Sequence, residues 1–200
     1  MAKTYHHGDL KSEAVKKAVE IIQKKGEVDF TLREIAQSLK VSHTAVYRHF
    51  TSKQDLLSYI AEEGFRAFSE KMMNEVPKGK TVRQKLRIAG KTYIEFALNN
   101  VGHYRSMFHQ ELRCATEQRP ELEQVGAEAF MTLMDLISEG MKNQVFKKDD
   151  PRTVARFVWS SIHGFSILLL DGQFESLQSK ASIQDGIDHH LEMIERALLK

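Results

Sequence analysis

The sequence predicts an all-α protein of about nine helices, a three-helix N-terminal head followed by a larger helical lobe. Apolar residues recur at helical spacing in almost every segment, and no stretch alternates as a strand. Residues that open and close helices punctuate the chain throughout. Only 3 Pro interrupt 200 residues, against 8 Met and 11 Phe, which favours long helices packed by flexible and aromatic side chains.

The first helix is expected to open after the N-cap residue Asp9, to bury Ala14, Val15, Ala18, Ile21 and Ile22, and to close at Gly26. Thr31-Leu32-Arg33-Glu34 reads as a capping box for the second, whose inner face is Leu32, Ile35, Ala36 and Leu39. Lys40-Val41 makes a tight turn, and Ser42 caps a short third helix ending near Phe50. Ser52, with Asp55 three residues on, starts a long fourth helix over about 52–75, with Leu57, Ile60, Ala61, Gly64, Phe65, Phe68 and Met72 as its apolar stripe.

Pro77-Lys78-Gly79-Lys80 then breaks the pattern. Thr81 with Gln84 caps a fifth helix ending near Asn99-Asn100, and a shorter one follows Gly102. Pro120 opens a helix reaching about Lys142, and Asp150-Pro151 opens the next. Ser182 with Asp185 caps the last, after a loop expected over 171–181. The expected organisation is a head over residues 1–55 and a lobe over 56–200, with the fourth helix connecting them.

The net charge of +2 hides an asymmetry. Residues 1–60 hold 10 Lys and Arg against 7 Asp and Glu, with four His, whereas residues 61–200 hold 19 against 20. The small positive excess lies in the segment where two short helices meet at a tight turn. That pattern, with polar residues outside on the second helix, is what insertion into the DNA major groove requires. Ala45, Val46 and Phe50 can pack inward, which leaves Ser42, His43, Thr44, Tyr47 and Arg48 facing outward. Hydroxyls, an imidazole and a guanidinium can all bond base edges. Tyr47, His49 and Lys53 are better placed for phosphate oxygens, beside the positive dipole end of the fourth helix.

Phe30-Thr31-Leu32-Arg33-Glu34-Ile35-Ala36, then Val41-Ser42, Val46-Tyr47-Arg48-His49-Phe50, Ser52-Lys53 and Leu56 closely resemble the TetR family of transcriptional regulators. The opening Tyr5-His6-His7-Gly8-Asp9-Leu10 resembles it too, so the strong likeness spans residues 5–60. The resemblance implies that Thr31, Tyr47, His49 and Lys53 grip phosphates, while Arg33, Ser42, His43, Thr44 and Arg48 face bases. Two positions depart from the family pattern. Lys40 stands where Gly is common, and a left-handed conformation there costs about 1 kcal/mol. Gln54 replaces a frequent acidic residue. Lys3, His6 and His7 are candidates for an arm that reaches a phosphate or the minor groove.

The resemblance further implies a ligand-binding and dimerising lobe, with a cavity among the middle helices and a dimer seam on the last two. Phe65, Phe68, Met72, Tyr93, Phe96, Met107, Phe108, Phe130, Met134, Trp159 and His163 are the candidate cavity lining, although such stripes also serve as plain core. They point to an apolar or aromatic effector. Trp159, His163 and Gly164 resemble the Trp…His-Gly signature of one C-terminal subgroup. Phe165, Leu169, Ile187, Leu191, Ile194 and Leu198 are the candidate seam, and the helix from Pro151 is apolar enough to be covered on two sides. The expected partners are a palindromic double-stranded DNA operator, a second copy of the chain and a small molecule that releases a repressor. The alternative is a DNA-binding protein with no effector.

Other classes find little support. There is no Gly-rich phosphate loop, HExxH, nucleophile motif or CxxC, so an enzyme is not expected, nor a cofactor. The lone Cys114 cannot form an internal disulfide, and nine His are scattered without metal-ligand spacing. No apolar signal core opens the chain, and Phe157 to Leu170 is shorter than a membrane span needs. A cytoplasmic protein with no membrane partner is expected.

Overall fold

A computed structural model of the protein describes residues 10–114 and 120–200. Among these it contains nine α-helices, two short 3-10 segments and no strand beyond one isolated bridge between Phe146 and Leu199. The all-α expectation therefore holds. The helices are α1 (Leu10–Lys25), α2 (Leu32–Ser38), α3 (His43–Tyr47), α4 (Lys53–Glu75), α5 (Val82–Asn99), α6 (Val101–Met107), α7 (Pro120–Lys142), α8 (Pro151–Leu170) and α9 (Lys180–Leu198). Asp9, the opening Tyr5–Asp9 string and the arm residues Lys3, His6 and His7 lie outside the described residues.

Most helix boundaries follow from side chains that satisfy the free amides at helix starts. The Thr31 hydroxyl accepts the Glu34 N–H at 3.1 Å, while the Glu34 carboxylate accepts the Thr31 N–H at 2.7 Å. Thr81 caps α5 through Gln84, and Asp150 caps α8 through Thr153. Gly26 closes α1 with φ of +74°. The last helix opens earlier than expected. Ser179 is its cap and accepts the Ser182 N–H at 3.0 Å, so Ser182 is the third helical residue and Asp185 has no capping role.

The chain forms two compact units. The first comprises residues up to Phe65 together with Asn100–Gln124, and the second comprises Arg66–Asn99 and Val125–Lys200. In the first, Ile22, Phe30, Ile35, Val46, Phe50, Leu56 and Ile60 are almost fully buried in one cluster. A smaller cluster joins Leu57 and Ala61 of α4 to Leu112 and Leu122, with Val28 and Phe65 beside it. Helix α6 lies directly on α1. A Cβ on Gly102 would stand 2.7 Å from the Val19 carbonyl oxygen, so this approach requires glycine.

In the second unit, α5 packs against both α8 and α9. Glu195 is buried on α9, and its carboxylate takes Arg83 Nε at 2.8 Å and Arg87 Nη1 at 3.2 Å from α5. Arg87 also reaches Asp188 at 2.9 Å. Ile187, Leu191, Ile194 and Leu198 are buried on the same helix. Of the expected dimer seam, those four residues, and Phe165 on α8, are covered within one chain. An amphipathic helix has one main apolar stripe, and α9 spends it on the subunit interior. Leu169 alone of the expected seam is half-buried.

Within one chain, α8 is covered on one side. Ala155, Val158, Ile162, Phe165 and Ser166 are buried, whereas Phe157 and Leu168 are 49% and 44% exposed. Helix α8 is 20 residues long, and an 18-residue window within it reaches a mean hydropathy of 1.3, long and apolar enough to cross a membrane by length and composition. The shorter apolar stretch read from sequence did not meet that length.

Candidate DNA-reading site

The site begins with the turn between α2 and α3. Lys40 adopts φ of +56°, the left-handed conformation expected there, and its N–H bonds the Gln37 carbonyl at 3.1 Å. The Val41 N–H then bonds the Ala36 carbonyl at 3.0 Å, which closes α2 and redirects the chain. Ser42 follows in an extended conformation and caps α3, its Oγ accepting the Ala45 N–H at 3.2 Å. Val46 and Phe50 plug this short helix into the core, which fixes its orientation.

The opposite face is open. Ser42, His43, Thr44, Tyr47 and Arg48 are exposed, as are Thr31 and Arg33 on α2. The rings of His43 and Tyr47, one helical turn apart, lie 4.4 Å apart. Ser42 Oγ is also 3.1 Å from Thr44 Oγ1, so each of these hydroxyls already has one local partner. His49 is half-buried.

The start of α4 has the cap that its spacing predicts, with Ser52 before the helix and Asp55 three residues on. The Asp55 N–H bonds Ser52 Oγ at 3.0 Å, and the Asp55 carboxylate accepts the Thr51 N–H at 2.9 Å. The Asp55 amide at this positive dipole end is thus held by the protein's own Ser52, and the Thr51 amide just before the cap is held by Asp55. Lys53, the first residue of the helix, is half-buried with its ammonium 5.7 Å from the Phe30 ring centroid and 3.2 Å from Glu111 Oε1. Gln54 Nε2 donates to the Glu111 carbonyl at 2.8 Å. Nothing in the local sequence signals Glu111, which is 58 residues from Lys53.

The candidate effector lining is divided between the two units. Phe65, Met107 and Phe108 lie in the first, where Phe65 and Phe108 meet edge to face at 5.7 Å. The other candidates lie in the second. There Phe68 contacts the rings of Tyr93 and Phe96, each at 5.3 Å, and Phe130 contacts Trp159 at 5.9 Å. Met72 and Met134 are half-buried. His163 Nδ1 is 3.0 Å from the Tyr93 hydroxyl, which also accepts the Trp159 N–H at 3.3 Å. Burial pushes the His163 imidazole below its usual range, which favours the neutral ring. Among the described residues no group of three or more His, Cys, Asp or Glu is placed to hold a metal ion.

This arrangement matches known proteins along its length. Residues 14–60 match the bacterial regulatory proteins of the TetR family, and residues 86–194, more than half the chain, match the tetracyclin repressor-like C-terminal domain. The fatty acid metabolism regulator protein of Bacillus subtilis (strain 168) is 24% identical over 149 residues, which cover 72% of this chain and 75% of that protein. A TetR-family regulatory protein from Rhodococcus RHA1 has the same fold, with a TM-score of 0.75 at 21% identity over 94% of this chain and 96% of its own. So does the fatty acid degradation regulator FadR from Bacillus halodurans, with a TM-score of 0.73 at 18% identity over 96% and 97% of the two chains. With both its helix-turn-helix segment and its C-terminal domain accounted for, this chain belongs to the TetR family of DNA-binding transcriptional regulators, which are not enzymes.

Proposed function

We propose that the protein is a ligand-responsive repressor that binds a palindromic operator as a homodimer in the cytoplasm and is released by an apolar small molecule. The observation that carries the DNA reading is the polarity of α3. Val46 and Phe50 point into the core while His43, Thr44, Tyr47 and Arg48 face solvent. In this reading Arg33, Ser42, His43, Thr44 and Arg48 read bases, and Thr31, Tyr47, His49 and Lys53 hold phosphates. The head over residues 1–55 reads DNA, and the lobe over 56–200 binds effector and partner.

A second copy is supported by the apolar surface left on α8 and α9. Phe157, Leu168 and Met193 are exposed, the last two in a groove also lined by Ser161, Gly164, Phe165 and Phe174. A two-fold pair would set two copies of α3 about 34–36 Å apart, one turn of DNA. The fatty-acid regulators among the relatives support an acyl chain as the effector class. Such a ligand acts only through its differential affinity for the released form, a coupling of about 1–3 kcal/mol.

One observation favours a binder with no effector. Tyr93, Trp159 and His163 satisfy one another, and Phe68 and Phe96 are buried, as in a filled core. Binding to a duplex selected from a random pool, with and without a long-chain acyl-CoA, separates the readings. Weaker binding with the acyl-CoA supports the sensor. Unchanged binding across acyl and aromatic probes leaves the plain binder. If Arg48→Ala leaves both affinity and sequence preference unchanged, the docking of α3 is wrong.

A further inference from the structure

We infer that Glu111 is an internal competitor for the phosphate-gripping Lys53, so that the 3-10 segment Gln110–Cys114 lowers DNA affinity until it withdraws. The inference rests on the DNA reading above. Two features of the contact carry it. The first is chemical: a carboxylate and a phosphate oxygen are both anionic acceptors for the same ammonium, and two anions brought to one lysine repel each other. Lys53 Nζ lies 3.2 Å from Glu111 Oε1, so the position a phosphate would take is already held by negative charge.

The second feature is that Glu111 is anchored by its backbone rather than placed by a swinging side chain. Gln54, the neighbour of Lys53, donates its side-chain amide to the Glu111 carbonyl at 2.8 Å. An acidic residue at position 54 has no such donor, so the departure from the family pattern at Gln54 has a structural use here. On the other side of Glu111, Leu112 is buried against Leu57 and Ala61 of α4. The Leu112 N–H also bonds the His109 carbonyl at 3.1 Å, which holds the segment as one short 3-10 turn. His109 follows α6 by two residues, so a shift of α6 along α1 is passed directly to Glu111. The charge of Lys53 is also felt at Asp29 and His109, and its ion-pair partner is Glu111.

Both partners are partly solvated, Lys53 at 31% and Glu111 at 42% exposure of the side chain, so the pair contributes little to folding. Glu111→Gln is therefore expected to fold normally, and its effect can be read on DNA. The full-length protein, Lys53→Ala, Glu111→Gln and the double variant are titrated by fluorescence anisotropy against a labelled duplex selected by the wild-type chain, over a series of salt concentrations. Glu111→Gln is expected to bind about three- to fivefold more tightly at low salt, with a salt slope steeper by up to about 0.9. Lys53→Ala is expected to weaken binding, and the double variant to match Lys53→Ala within about twofold. If Lys53→Ala weakens binding but Glu111→Gln does not strengthen it, the competition is refuted while the DNA reading stands. If Glu111→Gln tightens Lys53→Ala as much as wild type, Glu111 acts by general repulsion and the masking of Lys53 is refuted. If neither variant changes affinity, Lys53 does not grip DNA and the competition falls with that contact, while the docking of α3 is judged by Arg48→Ala.

Discussion

The hydroxyl of Tyr93 on α5 joins the imidazole of His163 on α8, 3.0 Å from Nδ1, while accepting the indole N–H of Trp159. While accepting the indole N–H, the phenol keeps its own O–H free to donate to Nδ1 of a neutral ring that carries its proton on Nε2. Protonation of His163 at Nδ1 would reverse this bond, with the ring donating to the phenol oxygen. Burial already lowers its pKa, as it does for His103 and His190.

The unfolded chain therefore binds protons on these rings at a higher pH than the folded one. Stability is fully present above the unfolded histidine range, near pH 6.5, and declines as the pH falls below it toward the folded pKa values. Thermal unfolding followed from pH 8 to 5.5 is expected to show this loss over about that range. His163→Phe is expected to flatten part of the slope, leaving the share of His103, His109 and His190. An unchanged slope would mean that His163 titrates alike in both states.

Lys40 sits at φ of +56° without glycine's freedom. Lys40→Gly is expected to stabilise the protein by about 0.5–1 kcal/mol, the left-handed strain less part of the entropy that glycine adds to the unfolded chain. Urea denaturation checks this as a higher midpoint at unchanged slope.

Gly102→Ala is expected to cost about 1–3 kcal/mol, because the new methyl meets the Val19 backbone rather than a side chain that can turn away. The same urea titration reads it. Stability equal to wild type would show that α6 can lift from α1 freely.

Glu195 is buried while Arg83 and Arg87 remain partly in water. Glu195→Gln is expected to cost about 1–2 kcal/mol, since the arginines stay solvated when the charge is lost. Calorimetry at neutral pH is the check.

Phe157→Glu with Leu168→Glu is expected to leave the chain folded and monomeric, because neither side chain is buried within one copy. Sedimentation velocity beside circular dichroism tests this. A dimer that survives both changes would place the seam elsewhere.

What the residues alone determined was local. The capping box at Thr31 and Glu34, the cap at Ser42, the left-handed Lys40 and the inward Val46 and Phe50 depend on neighbours within four residues, where spacing dictates geometry. The outward face of α3 was legible for the same reason: once Val46 and Phe50 turn inward, helical periodicity leaves the polar residues outside.

Tertiary packing decided the rest. An apolar stripe such as Ile187, Leu191, Ile194 and Leu198 says that a face will be covered but not by what, and here the subunit's own interior takes it. The opening of α9 at Ser179 was ambiguous because serine can stand either as cap or as third residue of a box. Lys53 was readable as a cation at a helix start, yet its partner Glu111 is brought to it only by the packing of Leu112 on α4. Contacts between distant positions carry no periodic signature, so the chain had to fold before that pair could be seen.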